Sequence, residues 1–260
     1  VAQFGWPDAP GPIRAQVTAL RDGLLHALEA VTVRAIYLHG SLALGCFAPT
    51  RSDIDVLVIV DAAPDAAVRR ACGDLLLAAS GQPAPIEISV MRATALDPFV
   101  HPAPFEFHFS EDWRDAFERD AAVAFPPTDP DLTVHLAVTR ARGVALYGPP
   151  PADLLPEIAR DPLREALAYD VLDSSHGIGA LVESRNAANA ILNACRSLAW
   201  SRDGVMRSKD EGALWAVIEL PWRHASLAAR ALEQYRSGRV ARFDAEELRR
   251  FTAFFEHEWR

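Results

Sequence analysis

The stretch from Ile36 to Val60, IYLHGSLALGCFAPTRSDIDVLVIV, constrains this chain more than any other. It reads as a buried apolar strand, a Gly40-Ser41 turn into a short helix, and a second strand that opens with Asp53 and Asp55. Side chains alternate along a strand, so two aspartates two residues apart share a face, about 6 to 7 Å from each other. Such a pair can share a cation. An aspartate pair that merely caps a strand has the same spacing. It does not explain why the carboxylates sit among LHGS and VLVIV, core-type sequences in which an uncompensated charge is expensive.

The same stretch has the parts of a device for a metal-bound triphosphate. Gly40 lets the backbone approach phosphate closely, and the Ser41 hydroxyl and the N–H groups at the helix start can donate to its oxygens. Asp53 and Asp55 suit Mg²⁺, a hard cation that takes oxygen ligands and keeps substrate phosphates in its shell. Further on, IEISVMR alternates as a strand, with Glu87 and Ser89 on one face and Ile86, Ile88 and Val90 on the other. Glu87 is thus a third carboxylate in an apolar setting, and three convergent carboxylates are the signature of a metal site.

Around this motif the periodicity predicts helices over 13–31 and 64–80, a strand at 105–109, a helix after Ser110, and a helix from Asp131 that stops at Gly143 before a short strand ending at Gly148. PPPAD (149–153) reads as a linker. Beyond it the pattern is helical throughout, over about 158–173, 181–202, 210–219, 224–237 and 244–258. The expectation is an α+β chain: residues 1–150 form a domain with a mixed sheet flanked by helices, and residues 151–260 form a helical bundle, with the active cleft between them.

Composition narrows the partners. A net charge of -9 leaves no basic excess for a phosphate backbone, which argues against nucleic acid and suits a cationic small molecule. Half of the residues are hydrophobic, yet no apolar run reaches the length of a membrane span. The three cysteines form no CxxC pair, and the first residues lack the charge and apolar pattern of a leader. A cytoplasmic monomer is expected. Of 26 basic residues only Lys209 is a lysine, which marks it as a place where a compact ammonium is needed instead of a planar fork.

The order GS, residues 42–52, DxD and a later strand carboxylate resembles the nucleotidyltransferase superfamily with a DNA polymerase β-like palm. More narrowly, YLHGSLALGCFAPTRSDIDVLV is similar to the aminoglycoside (3'')(9) adenylyltransferases, the streptomycin and spectinomycin resistance enzymes, and LNACRSLAWSRDGVMRSKDEGALWAV (192–217) echoes their helical region. The resemblance implies that AMP is transferred from ATP to a hydroxyl of a small antibiotic, with two Mg²⁺ ions and release of pyrophosphate. It makes Asp53, Asp55 and Glu87 the metal ligands, with Glu87 also the general base. It assigns Ser41, Ser52 and Lys209 to the phosphates, and Asp131, Arg196 and Tyr235 to the nucleotide. From the residues alone, Arg196 is equally a structural ion pair, Tyr235 a core residue and Asp131 a helix N-cap.

On the acceptor side a polycation needs carboxylates and an aromatic platform, for which Trp113 and Glu183 are the candidates. Streptomycin-modifying members carry a tryptophan and aspartates where LDSSHGIGALVESRNAAN (172–189) has no tryptophan and few acids, so the resemblance favours spectinomycin. Two other readings are kept: transfer to another metabolite or to a protein hydroxyl, and a nucleotide-binding module without catalysis. The intact acidic triad and Lys209 argue against the second.

Overall fold

The computed structural model describes residues 3–49, 51–119, 123–173 and 187–260. They form two compact units, one ending at Ile158 and the other running from Ala159 to Arg260. In the first unit the chain passes through α1 (Gly11–Ala27), β1 (Val33–His39), α2 (Gly40–Ala43), β2 (Ile54–Val60), α3 (Ala66–Ala79) and β3 (Ile86–Arg92). There follow β4 (Ala103–Pro104), β5 (Phe107–Phe109), α4 (Arg114–Arg119), β6 (Thr128–Asp129), α5 (Asp131–Arg142), β7 (Val144–Tyr147) and α6 (Pro151–Leu154). The second unit contains α7 (Arg160–Ala168), α8 (Ala187–Asp203), α9 (Lys209–Glu219), α10 (Trp222–Ser237) and α11 (Ala245–Trp259), and no strand among its described residues.

Five strands make a mixed sheet in the order β5-β3-β2-β1-β7, with β2 and β3 parallel and the other pairs antiparallel. Strand alternation gives it two apolar faces. Ile36, Leu38, Val56, Val58, Ile88 and Val90 pack against the buried stripe Ile13, Val17, Leu20 and Leu24 of α1 and against Val68, Cys72 and Leu76 of α3. On the opposite face Tyr37, Leu57, Ile59 and Met91 meet Leu132 and Leu136 of α5 and Leu155.

That second core draws in residues just past 150. PPPAD is not a free linker: Pro151–Leu154 is a helical turn, Leu155 is buried, and the Arg140 guanidinium donates to the Leu155 carbonyl at 2.6 Å. The next few residues join the first unit because their apolar side chains complete the α5 side of the sheet.

The approach to β3 is fixed by polar anchors. The Gln16 amide donates to the carbonyls of Ala79 (3.0 Å) and Ala84 (2.7 Å), and its own carbonyl accepts from Ala84 N–H. Ile86 N–H donates to Ser80 Oγ at 2.8 Å, and the Ser80 hydroxyl in turn donates to Glu111. Asp65 caps α3 through the amides of Ala67 and Val68. In the second unit Ser208 with Glu211, and Asp244 with Glu247, form capping boxes that set where α9 and α11 begin.

Candidate active site

On the α5-facing side of the sheet the registers line up residues strand by strand. His39, Asp55 and Glu87 form one row, Tyr37, Leu57, Ser89 and His108 the next, and Ala35, Ile59 and Met91 the third. The face therefore grades from an apolar interior to a polar rim, and Asp55 and Glu87 are direct neighbours on that rim. β2 begins at Ile54, so Asp53 lies in the segment just before the strand and not on it. It is still close enough for its charge to bear on Glu87.

Gly40 follows His39 with φ of +59°, the left-handed region in which a side chain is strained. A Cβ there would stand 1.8 Å from Asp55 Oδ2 and 2.4 Å from its Cγ, so the Asp55 carboxylate occupies the space that any other residue at 40 would claim. Ser41 begins the turn of α2, and its buried Oγ makes no hydrogen bond among the described residues. Buried hydroxyls are normally paired, with protein or with water. Ser52 is buried, and its Oγ accepts from Ala48 N–H at 3.0 Å, which closes the loop between α2 and β2.

Above this rim stands the first turn of α5. Asp131 is its first residue. Capping falls to Asp129, whose Oδ1 accepts from Asp131 N–H at 2.9 Å, so the N-cap alternative for Asp131 does not hold. The Asp131 carboxylate instead meets His135 Nε2, one turn on, at 3.3 Å, and the His135 ring lies 5.0 Å from that of buried His39.

The titration behaviour follows from this crowding. Burial raises the Glu87 pKa; His135 opposes the rise, and Asp131, Asp53 and Asp129 add to it. Burial raises Asp129 too, with Asp131 adding to it. For His135 burial opposes the charge, but Asp131, Glu87 and Asp55 outweigh it and push the pKa up to about 10. Burial and the neighbouring His135 charge hold His39 well below the usual imidazole range and bring His108 down to about 4. The rim thus pairs one imidazolium with a group of carboxylates and two neutral imidazoles. Among the described residues, no three His, Cys, Asp or Glu side chains are drawn together as a metal cage.

The second unit gathers three further expected residues. Lys209 is the first residue of α9, half-buried behind the Ser208 cap. Three residues on, Gly212 packs so tightly on α8 that a Cβ would come within 2.7 Å of Arg196 Cα. Asp210 holds Arg236 by two bonds of 2.7 and 2.6 Å, which ties the start of α9 to the end of α10 beside half-buried Tyr235. Arg196 is an ion pair: its Nη2 meets Asp170 Oδ2 at 3.3 Å, Asn193 donates to Asp170 Oδ1 at 3.1 Å, and the buried Arg196 Nε makes no hydrogen bond among the described residues.

Of the acceptor candidates, Trp113 packs on Phe125 with ring centroids 5.3 Å apart, at the edge of the aromatic cluster around Phe107 and Phe117. Glu183 lies outside the described residues. Sequence reasoning missed His135, Asp129 and Asp170. The signal for the first was DLTVH, an acid and a histidine at i and i+4 on one helix face.

The glycine turn, the carboxylates on neighbouring strands and the unpaired serine define a nucleotidyltransferase, and residues 20–92 match the nucleotidyltransferase domain family. Residues 153–258 match the aminoglycoside adenylyltransferase C-terminal domain. An aminoglycoside (3'') (9) adenylyltransferase of Rhizobium radiobacter is 30% identical over 71% of this chain and 69% of its own length. The chain belongs to the aminoglycoside adenylyltransferase family and is an enzyme. It is also similar to a spectinomycin 9-adenylyltransferase of Staphylococcus aureus, 29% identical over 79% of this chain and 78% of that protein. The crystal structure of a spectinomycin adenyltransferase from Enterococcus faecialis with ATP and spectinomycin shares the fold, with a TM-score of 0.78 at 21% identity over 95% of this chain and 98% of that one. No described helix is long and apolar enough to cross a membrane.

Proposed function

We propose that the enzyme transfers the adenylyl group of ATP to a hydroxyl of an aminocyclitol or aminoglycoside, spectinomycin in preference to streptomycin, and so confers resistance. The observation that carries the reading is the rim itself: Asp55 and Glu87 side by side, with Gly40 bare beneath the Asp55 carboxylate and the Ser41 hydroxyl unpaired next to it. Relatives named for spectinomycin and for aminoglycosides support the acceptor class.

The donor set fits Mg²⁺, since it offers carboxylate oxygens and no sulfur, and Asp53, Asp55 and Glu87 are the residues that would hold it. When bound, the ion would offset the charge of the phosphates and of the leaving pyrophosphate. The chain's own residues supply the remaining work. Ser41 and the amides at the start of α2 donate to phosphate oxygens, with Ser52 as a second hydroxyl nearby in sequence. Lys209, Arg196 and Tyr235 are the helical unit's contribution to the nucleotide, the lysine as a compact charge for the phosphates.

Glu87 accepts the proton of the acceptor hydroxyl as its oxygen bonds to the α-phosphorus and the bond from that phosphorus to the bridging oxygen breaks, releasing pyrophosphate. A carboxylate whose proton affinity is raised by burial is suited to that task. The test is pyrophosphate release from ATP and Mg²⁺ with spectinomycin, with streptomycin or with neither. Release with spectinomycin supports the reading, and no release with either drug overturns it. Glu87→Gln should retain MgATP binding and lose turnover by several orders of magnitude, and near-normal turnover removes Glu87 as the base.

A further inference from the structure

An acid and a histidine at i and i+4 usually form a surface pair worth a few tenths of a kcal/mol to the helix. The Asp131–His135 pair of α5 is placed differently. Its imidazole is three-quarters buried and bonds the carboxylate at 3.3 Å on one side. On the other side it lies against the ring of His39, at 5.0 Å and 48°. His39 is 5% exposed, pairs in register with Asp55 and leads directly into the left-handed Gly40. One side chain therefore touches both halves of the rim: the acid at the start of α5 and the turn that carries Ser41.

We propose that His135 is a positioning residue for the nucleotide site, holding the Asp131 carboxylate in place on one side and walling the His39–Gly40 turn on the other. It acts through these two neighbours and not on the reacting atoms. The inference rests on the reading of this rim as the ATP site. Its burden is static: a displaced Asp131 or a loosened turn reduces the fraction of molecules ready to bind nucleotide, so the loss falls on affinity, not on the chemical step.

Two substitutions separate the contacts. His135→Phe keeps a ring against His39 and removes the donor to Asp131; His135→Gln keeps a donor of similar reach and removes the ring. MgATP affinity is measured by calorimetry, KM for ATP and kcat by pyrophosphate release, and stability by thermal melting. The expected result is a rise of about tenfold in Kd and KM for His135→Phe and about threefold for His135→Gln, with kcat changed less than about twofold.

If His135→Phe does not fold, His135→Asn replaces it, since its amide is too short to reach Asp131 and should bind MgATP more weakly than His135→Gln. Unchanged Kd in the folded variants, with or without a lower melting temperature, marks an ordinary helix pair and overturns the proposal. A fall in kcat at unchanged KM overturns it as well. Wild-type protein that binds no MgATP overturns both this inference and the functional reading, whereas tight wild-type binding matched by the variants overturns the inference alone.

Discussion

Gly40→Ala tests the geometry on which the site depends. Two costs are legible in the structure. The first is conformational, because a residue with a Cβ at φ of +59° costs about 1 to 2 kcal/mol. For a unit of this size each kcal/mol shifts the melting temperature by roughly 2 to 4 °C, so a fall of about 2 to 8 °C follows. The second is steric. The new methyl would stand 1.8 Å from Asp55 Oδ2, and restoring a gap of roughly 3.5 Å moves the carboxylate by about 1.7 Å. A misplacement of about 1 Å in a catalytic group can cost about 10²-fold in rate, so kcat for pyrophosphate release should fall at least that far. A cycle with Asp55→Ala separates the two costs: once the carboxylate is gone, Gly40→Ala should retain the conformational penalty and lose most of the steric one. Turnover of Gly40→Ala within about threefold of wild type would refute the claim that Gly40 is bare in order to seat Asp55.

Three further outcomes follow from the same structure. Ser41→Ala removes a buried hydroxyl that makes no hydrogen bond among the described residues, so urea unfolding should show no loss of stability, and a gain of up to about 1 kcal/mol, while MgATP affinity falls about tenfold by calorimetry. Asp170→Asn takes the charge from beside Arg196 in a largely buried pair and should cost about 1 to 3 kcal/mol in urea unfolding, and an unchanged midpoint would remove the pair from the fold's supports. The raised pKa of His135 means that its contribution to stability is fully present below the ordinary histidine value of 6.5 and is lost as pH rises toward about 10. The buried thiols of Cys72 and Cys195 enter only above 9.0, so the melting temperature should fall between pH 6.5 and 9 in the wild type and run flatter there in His135→Phe.

What could be read from the sequence was what repeats with a local period. The two-residue alternation of IEISVMR placed Glu87 and Ser89 on one face with apolar residues on the other, and the structure keeps that division. The helix starting at Asp131 and its stop at Gly143 were legible because glycine punctuates a short stripe of buried residues. Register between strands carries no such period, so the alignment of His39 with Asp55 and Glu87 could be reached only from the fold. Asp131 was visible as a functional candidate, but Asp129 caps the helix instead, because either acid of TDPD satisfies the capping pattern and only the backbone path selects between them. PPPAD failed as a linker for a related reason: prolines stop strands and helices, yet they say nothing about whether the leucines after them find a core.

The electrostatics of the rim join the cost of the site to its use. Carboxylates at the edge of an apolar sheet are unfavourable by themselves, and the raised pKa values of Glu87 and Asp129 express that cost. A fold could lower it by surrounding them with arginines, of which this chain has 25 among its 26 basic residues. Arginines are instead spent on pairs elsewhere, such as Arg114 with Glu111, Arg196 with Asp170 and Arg236 with Asp210. At the rim the described compensation comes from His135, whose influence on Glu87 opposes that of the acids. A permanently charged guanidinium there would lower the proton affinity of Glu87 further. A single imidazolium bonded to Asp131 offsets part of the repulsion among the carboxylates without filling the space between them with a fixed guanidinium.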